Sequence, residues 1–578
     1  MDERPLLVAR VVPNVTGLDK QFDYLVPDLL REQVAVGSLV RVPLHGRRVG
    51  GWVVSLGAPD PTLAVEKLMP LAKWSSVGPS PELLELARWA APRWGTDRLR
   101  PFMVAASPPT MVGRLPPARR TVVASEAGDS VVDSAVASGV WRIGPLADPL
   151  AIVLDAARAG PTLVLHPSPP AARALASRLR RQGLTVAAMP DDWALAAAGV
   201  DVVVGSRAAA WAPCPAMAAV VVLDEHDEAY QEERTPTWHA RDVVIERAAR
   251  AGAACMLVSP CPTATAMRWA EGSAHRVAHS SQWPLIEIDD RSDVEPWKRS
   301  LVGSSLIRAL RDPSKRVVCV LNVVGRARLI ACRACRSLQR CERCEAAVRQ
   351  RDDGMFQCSR CDTVRPRVCQ VCGASAMAIV RPGVTRLREE LEAAANRTVV
   401  AVTGESDELP VGDVFVGTEA VLHRVRNVDV VAFLDFDAEL LAPRYRAAEQ
   451  AMALLVRAGR LVGKRDRGGR VIVQTYVPNH EVLQAALLGD TARLVDGELA
   501  RRRLLGLPPF RALAALEGAD AQLMAATTGL EYAATGKTVL VRADDWLTLG
   551  SALAEATGNS GPRAKGSRLR VEVDPARV

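Results

Sequence analysis

Up to about residue 70, apolar and polar positions alternate in short runs, Leu6 to Val12, Leu39 to Val42 and Val49 to Leu56, punctuated by Gly37-Ser38 and Gly46. A period of two marks strands buried on one face, so residues 1–74 are expected to form a small β-rich domain. Gly78-Pro79-Ser80-Pro81 then supplies a helix start, with Ser80 as cap and Pro81 in the first turn. Leu83, Leu84, Leu86, Ala87 and Ala90 follow at helical spacing and predict a helical module over 75–106. Pro108-Pro109, Pro116-Pro117 and Arg119-Arg120 mark 107–130 as a linker. Beyond it, fully apolar runs such as Thr162 to Leu165, Val202 to Gly205 and Val220 to Leu223 alternate with helical stretches, one beginning near Ala171. That texture indicates parallel sheets covered on both faces. It returns at Val317 to Leu321, Thr398 to Val402, Val414 to Gly417, Val430 to Leu434 and Val471 to Thr475. Two α/β domains are expected, over 131–290 and over 291–331 with 374–510, followed by a small α+β domain at 511–578.

Composition changes this picture little. At 578 residues, 49% apolar and 24% charged, the chain is an ordinary globular one of several domains. Met1-Asp2-Glu3-Arg4-Pro5 lacks a basic start leading into an apolar core, and no apolar run reaches the roughly 18 residues of a membrane span. A cytoplasmic location and no membrane partner are expected. The formal charge is +8. Eight thiolates around two Zn²⁺ would lower it to about +4, so charge alone argues only weakly for a polyanionic partner.

The strongest chemical signal lies between the two parts of the second α/β domain. Eight of the twelve cysteines form four Cys-x-x-Cys knuckles: Cys332/Cys335, Cys341/Cys344, Cys358/Cys361 and Cys369/Cys372. Such spacing lets both sulfurs of a knuckle face one tetrahedral ion, and two knuckles complete a site. A redox dithiol is the competing reading. Four knuckles can pair in three ways. Arg351-Asp352-Asp353-Gly354, flanked by Ala346 to Gln350 and Met355 to Gln357, is a hairpin signal that would draw the middle knuckles together. Nested sites follow for two Zn²⁺ per chain in a module at 332–373: Cys332, Cys335, Cys369 and Cys372 for one, Cys341, Cys344, Cys358 and Cys361 for the other. Filled by thiolates, both would be structural. Arg326, Arg328, Arg333, Arg336, Arg340 and Arg343 surround them as phosphate contacts or as a solvated basic face. Cys214, Cys255, Cys261 and Cys319 read as packing residues.

Taken with Phe22-Asp23-Tyr24-Leu25-Val26-Pro27 and Gly37-Ser38-Leu39-Val40-Arg41-Val42-Pro43, these knuckles resemble the primosomal replication-restart family, PriA, over nearly the whole chain. Val222-Leu223-Asp224-Glu225-His226-Asp227, Tyr230 and Trp238-His239-Ala240-Arg241-Asp242 resemble its acidic helicase box and sequel, and Gly205-Ser206-Arg207 the DNA-facing motif before them. Gly417-Thr418-Glu419, Asp435-Phe436-Asp437, Gln474-Thr475-Tyr476 and Arg502 to Phe510 match later landmarks. The resemblance implies two RecA-like helicase-fold domains with an inserted double-zinc module, an N-terminal 3′-end DNA-binding domain, a winged helix at 75–106 and a C-terminal α+β domain. It also implies that Phe22, Asp23, Gly37 and Lys67 hold the 3′-terminal nucleotide, and that nested zinc pairing is the rule. Phe22 and Tyr24 read equally as core aromatics of a barrel, and His226 and His239 as structural histidines.

The motor motifs depart from that pattern. A phosphate loop needs glycines, a lysine and a hydroxyl between strand and helix. At that place stand Arg142-Ile143-Gly144-Pro145-Leu146-Ala147-Asp148-Pro149-Leu150, with neither lysine nor hydroxyl. Gly536-Lys537-Thr538 is a decoy, lacking the earlier glycine and preceding a strand. The acidic box is displaced by one, with Leu223 where the family has its leading Asp, leaving Asp224, Glu225, His226 and Asp227 as a vestige. Arg457 and Lys464 replace a Gln and an Arg, and Val323-Val324 replace paired arginines beside Asn322. ATP and Mg²⁺ binding are therefore doubtful, and no catalytic residue is assigned. The expected function is binding abandoned or stalled replication forks, and promoting primosome assembly and replicative-helicase reloading, without helicase activity. The expected partners are forked DNA with a 3′ end, single-stranded DNA and, by the resemblance, primosome proteins and single-strand-binding protein. An active ATP-dependent 3′–5′ helicase with a non-standard nucleotide site, and a zinc-ribbon scaffold with incidental DNA binding, stay open.

Overall fold

The computed structural model describes residues 5–578 except 19, 61–64, 122–136, 272, 277–282, 293–300, 322–329, 344–345, 352, 359–360, 380–383, 403–410 and 560–568. Two compact units emerge. One comprises Met1–Val140, Pro149–Val258 and Phe510–Pro575, the other Trp141–Asp148, Ser259–Pro509 and Ala576–Val578. No helix among the described residues is long and apolar enough to cross a membrane.

In the first unit the period-two pattern becomes a five-stranded antiparallel sheet, ordered Phe22–Leu25, Val8–Pro13, Arg47–Gly57, Leu39–Leu44, Lys73–Ser76. Leu25 donates to the Met69 carbonyl and accepts from the Leu71 amide, while Ala72 bonds Arg41, so the last segment closes the sheet into a small barrel. Ala9, Val11, Tyr24, Val40, Val42 and Val53 fill it. Helix Pro81–Arg93 begins as its sequence dictates: Ser80 Oγ caps the Leu83 amide and Pro81 occupies the first turn. A second helix spans Arg100–Ala106.

The apolar runs of the same unit form parallel neighbours in the order Ala254–Ser259, Ala219–Leu223, Thr162–Leu165, Val202–Gly205, Val186–Ala188. The C-terminal part is an antiparallel sheet, Glu531–Thr535, Thr538–Ala543, Ala512–Glu517, Arg570–Val573, with helices Ala521–Thr527 and Trp546–Asn559. Gly536-Lys537 is simply the turn joining its first two strands, Gly536 taking a φ of +64°.

The second unit holds a six-stranded parallel sheet ordered Leu285–Asp290, Arg470–Thr475, Val430–Phe433, Val317–Val320, Val414–Gly417, Val399–Val402. Alternation sorts its side chains onto two cores. Val318, Val320, Val431, Phe433, Val471 and Val473 pack with Met452, Leu455, Val482 and Leu483. Val317, Cys319, Val430, Ala432 and Ile472 pack with Leu306, Leu310, Leu387 and Leu391 on the other face. Strand Leu285–Asp290 corrects the expected boundary at 290: it lies at the edge of this second sheet, beside Arg470–Thr475. Its short run Leu-Ile-Glu-Ile-Asp-Asp carries no local information about which sheet it joins.

Candidate nucleic-acid interface and metal sites

The barrel places the four positions implied to grip a 3′ end differently. Tyr24 is a core aromatic whose hydroxyl donates to the Pro43 carbonyl at 3.1 Å, and half-buried Phe22 packs against the same core. Asp23 is held by Arg10, whose Nε and Nη2 donate to its two oxygens at 2.9 and 3.1 Å. That fork raises the Arg10 pKa, first through the hydrogen bond and then through the charge of Asp23. Arg10 had no signal in the chain that could have linked it to Asp23 before the antiparallel pairing was known. Lys67 is exposed, just ahead of the segment that runs beside Leu25. Gly37 is buried with φ +92°, and a Cβ there would stand 1.8 Å from the Pro79 carbonyl oxygen. Only glycine fits that close approach. Gly37→Ala should therefore destabilise the protein by more than about 1 kcal/mol whatever DNA is present, measurable as a lower denaturant midpoint.

The segment that the resemblance aligns with a phosphate loop lies between a strand, Gly139–Arg142, and a helix, Leu150–Ala159. Its groups are already engaged: Ile143 N donates to Ser259 O, Ala147 N to Gly144 O, and the Pro145 carbonyl accepts from Arg460 Nε at 2.9 Å.

At the acidic box, strand Ala219–Leu223 ends and Asp224 takes a left-handed φ of +54°. Glu225 is fully buried and accepts from Arg241 Nη1 at 2.9 Å, while Arg241 Nε donates to Asp242 at 2.9 Å. Burial alone would lower the Arg241 pKa, but Asp242 and Glu225 hold it raised. Asp227 caps the Ala229 amide. Buried Tyr230 donates to the Leu223 carbonyl at 2.6 Å, and burial raises its phenol pKa. His239 is structural, its Nδ1 accepting from the Arg241 amide at the start of helix Ala240–Ala251. Arg207 is bound to the Gln231 carbonyl at 2.7 Å and to Glu232 at 3.1 Å.

In the second unit, Arg457 meets Glu419 at 2.6 Å and His423 at 2.9 Å, and Lys464 is exposed. Gln474 ties Gly303, Leu301 and Arg291 together. Buried Asp437 accepts from the Thr475 hydroxyl and the Tyr476 amide, yet burial pushes its pKa up to about 7. Asn322, Val323, Val324, Arg326 and Arg328 lie outside the described residues.

The inserted module is built from two small sheets: Ile330–Cys332 with Met377–Ile379, and Val348–Gln350 with Phe356–Cys358 and Val364–Arg365. The hairpin turn at Gly354, φ +83°, sets Val348 opposite Cys358. Cys332, Cys335, Cys369 and Cys372 come together, and so do Cys341, Cys358 and Cys361, with all ligand atoms of a group within 4.8 Å of one another. Cys344 lies outside the described residues. Nearest sulfurs stand 3.4–3.5 Å apart, as in Cys332–Cys372, Cys335–Cys369 and Cys341–Cys361. A tetrahedral ion with Zn–S bonds near 2.3 Å would separate its sulfurs by about 3.8 Å, so the groups fit such an ion with a small outward shift.

Their electrostatics agree. Burial pushes the Cys369 thiol up, but the Ser337 hydroxyl and the Cys372 and Val371 amides hold it down at about 5. Although the Ala374 amide favours a thiolate at Cys372, the neighbouring sulfurs of Cys335 and Cys332 raise it to about 12. Four thiols this close cannot all ionise without a cation among them. Ser337 and Gln339, missed by knuckle spacing, reach Cys369 Sγ at 3.1 and 3.4 Å. Arg365 stacks over Phe356 at 5.0 Å and bonds Gln339 Oε1 at 3.2 Å, linking the two halves. The other cysteines are core thiols: burial raises Cys214 to about 11 and Cys255 and Cys319 to about 12, and Cys261 is buried too.

These features define a multidomain α/β protein with parallel sheets, a small N-terminal barrel and cysteine clusters suited to metal. Residues 10–99 match the family model of the PriA 3′ DNA-binding domain. The protein it resembles is replication restart protein PriA. The Bacillus subtilis (strain 168) protein is 25% identical over 366 residues, covering 57% of this chain and 45% of that one. The Haemophilus influenzae protein is 24% identical over 335 residues, covering 54% of this chain and 46% of that one. The chain thus spans about half the length of the curated relatives it matches. Among solved structures, S. cerevisiae Dbp5 bound to RNA and ADP BeF3 is 11% identical over 64% of this chain and 89% of its own, at a TM-score of 0.34. That superposition is too loose to bear on function.

Proposed function

We propose that this chain recognises stalled or abandoned replication forks through their 3′ end and recruits the primosome and the replicative helicase, without itself hydrolysing ATP. The carrying observation is the strand–loop–helix at 139–159, which the resemblance aligns with a phosphate loop and which offers neither lysine nor hydroxyl. The pairing of Glu225 with Arg241 supports it, because a carboxylate neutralised in a buried ion pair is withheld from Mg²⁺. In this reading Phe22, Asp23, Gly37 and Lys67 form the 3′-end site and the winged-helix-like stretch over 75–106 holds a duplex arm. Residues 332–373 carry two zinc ions, with Cys344 completing the second set, and present a rigid surface to primosome proteins or single-stranded DNA. The zinc is structural: it fixes the module and takes no part in chemistry.

ATP turnover by the purified protein, measured with and without forked DNA, is expected to stay at background, while fork binding prefers a free 3′ hydroxyl. DNA-stimulated hydrolysis would instead establish the active-helicase reading.

A further inference from the structure

On the outer face of the barrel, Val40 and Val42 point inward, so Arg41 and Pro43 between and beyond them point out. Register carries this face across the sheet. Lys73 pairs with Arg41, Arg41 with Gly50, and Pro43 with Arg48. Asn14 donates its amide to the Gly50 carbonyl at 2.7 Å, and its side-chain oxygen accepts from Arg100 Nε at 2.9 Å. Lys73, Arg41 and Arg48 are exposed, Arg100 half-buried. None of the four forms an ion pair among the described residues. The row from Lys73 to Asn14 crosses three strand spacings, about 14 Å, and Arg100 extends it beyond Asn14. Gly50, at its middle, has no side chain to lift a ligand off the sheet.

Uncompensated cations at strand spacing on a flat face fit a chain of phosphates better than any compact anion. The position of the row identifies which chain. Lys67 precedes the segment that runs beside Leu25, and six residues further on, after the barrel is closed, the same segment delivers Lys73 beside Arg41. On the 3′-end reading, Phe22, Asp23 and Lys67 mark the corner where the terminus sits, and a backbone leaving it along this segment would meet Lys73 next.

We infer that Lys73, Arg41, Arg48 and Arg100 form a phosphate track for the single strand whose 3′ terminus is held at that corner. The inference rests on the 3′-end reading for its direction, but not for its charge. The track supplies affinity without sequence preference, and the terminus supplies discrimination.

The test uses the full chain, binding titrations over a range of salt, and three probes: an oligothymidylate with a 3′ hydroxyl, the same strand with a 3′ phosphate, and a blunt hairpin duplex. In the triple variant Lys73→Ala, Arg41→Ala, Arg48→Ala, the slope of log affinity against log salt for the single strand should fall by about two, at roughly 0.7 per lost phosphate contact. The preference for a 3′ hydroxyl over a 3′ phosphate should survive. Arg41→Lys with Arg48→Lys should keep the slope, which guards against a folding defect. Asp23→Ala should do the opposite, keeping the slope and losing the preference. If the parent protein shows no preference, end capture fails while a slope loss in the triple variant still upholds the track. An unchanged slope, or an equal loss on the blunt hairpin, overturns it.

Discussion

With zinc in the two sites proposed above, chelation should unfold the cysteine module while leaving the six-stranded sheet of the same unit folded. The module cannot stand on its own core. Among the described residues its core cluster holds few buried apolar side chains, Ile330, Ala346, Val348, Phe356 and Met377, and four of the buried groups packed with them are Cys332, Cys341, Cys358 and Cys369 themselves. A core that small needs a staple. Structural zinc supplies on the order of 10–16 kcal/mol per ion at neutral pH, more than the whole stability of most domains. The sheet, by contrast, has large cores on both faces, from Val318 to Val482 on one and from Val317 to Leu391 on the other. Hydrogen exchange before and after chelation should show protection lost in the module strands Ile330–Cys332, Val348–Gln350, Phe356–Cys358 and Met377–Ile379, and retained in the sheet strands Val317–Val320, Val414–Gly417, Val430–Phe433 and Arg470–Thr475. Cys369→Ala should reproduce the loss at one site, and metal analysis should fall from two zinc per chain to one. Fewer than two in the parent protein, or a module equally protected after chelation, would refute the ligand assignment.

Much of this was legible in the chain because it was local. Knuckle spacing and the Gly354 turn act over a few residues, and the hairpin formed as the turn chemistry requires. Ser80, two prolines and a run of leucines are enough to start a helix. The apolar strands announced parallel sheets, since a strand covered on both faces has no polar side to display. What the sequence could not show is long-range. Leu285–Asp290 reads as a strand but not as a neighbour of Arg470–Thr475. Gly37 reads as a ligand-facing glycine by resemblance, and only the fold brings Pro79 against it. Nor does anything in the chain announce that Phe510–Pro575 joins the first unit, or that Arg365 bridges the two cysteine groups. The motifs that resemble helicase ones lie between these cases. Their departures from the family pattern are visible in the letters, but what the carboxylates at 224–227 do depends on partners such as Arg241, sixteen residues from Glu225.

That pair is the place where the acidic stretch at 224–227 should reveal its use. Arg241→Ala should destabilise the first unit by about 3–5 kcal/mol, because it leaves Glu225 charged and buried without its counter-ion. The side chains of Arg241 and Glu225 are 2% and 0% exposed, so water cannot take over. Further contacts spread the damage. Asp242 also pairs with Arg93 at 3.3 Å, and the Arg93 guanidinium lies 4.2 Å from the centre of the Trp546 ring. Loss of Arg241 thus loosens helix Pro81–Arg93 and the C-terminal helix together. Glu225→Gln should cost less, since its amide oxygen still accepts from the guanidinium and no buried charge is stranded beyond one that Asp242 partly balances. Replacing both partners, Glu225→Leu with Arg241→Met, should recover much of the stability lost in Arg241→Ala, as matched apolar groups remove the desolvation penalty altogether. Denaturant titrations of the variants decide it. If Arg241→Ala proved as stable as the parent, or the double variant no better than Arg241→Ala, the pair would not be a buried structural link, and Glu225 would again be available to hold a metal.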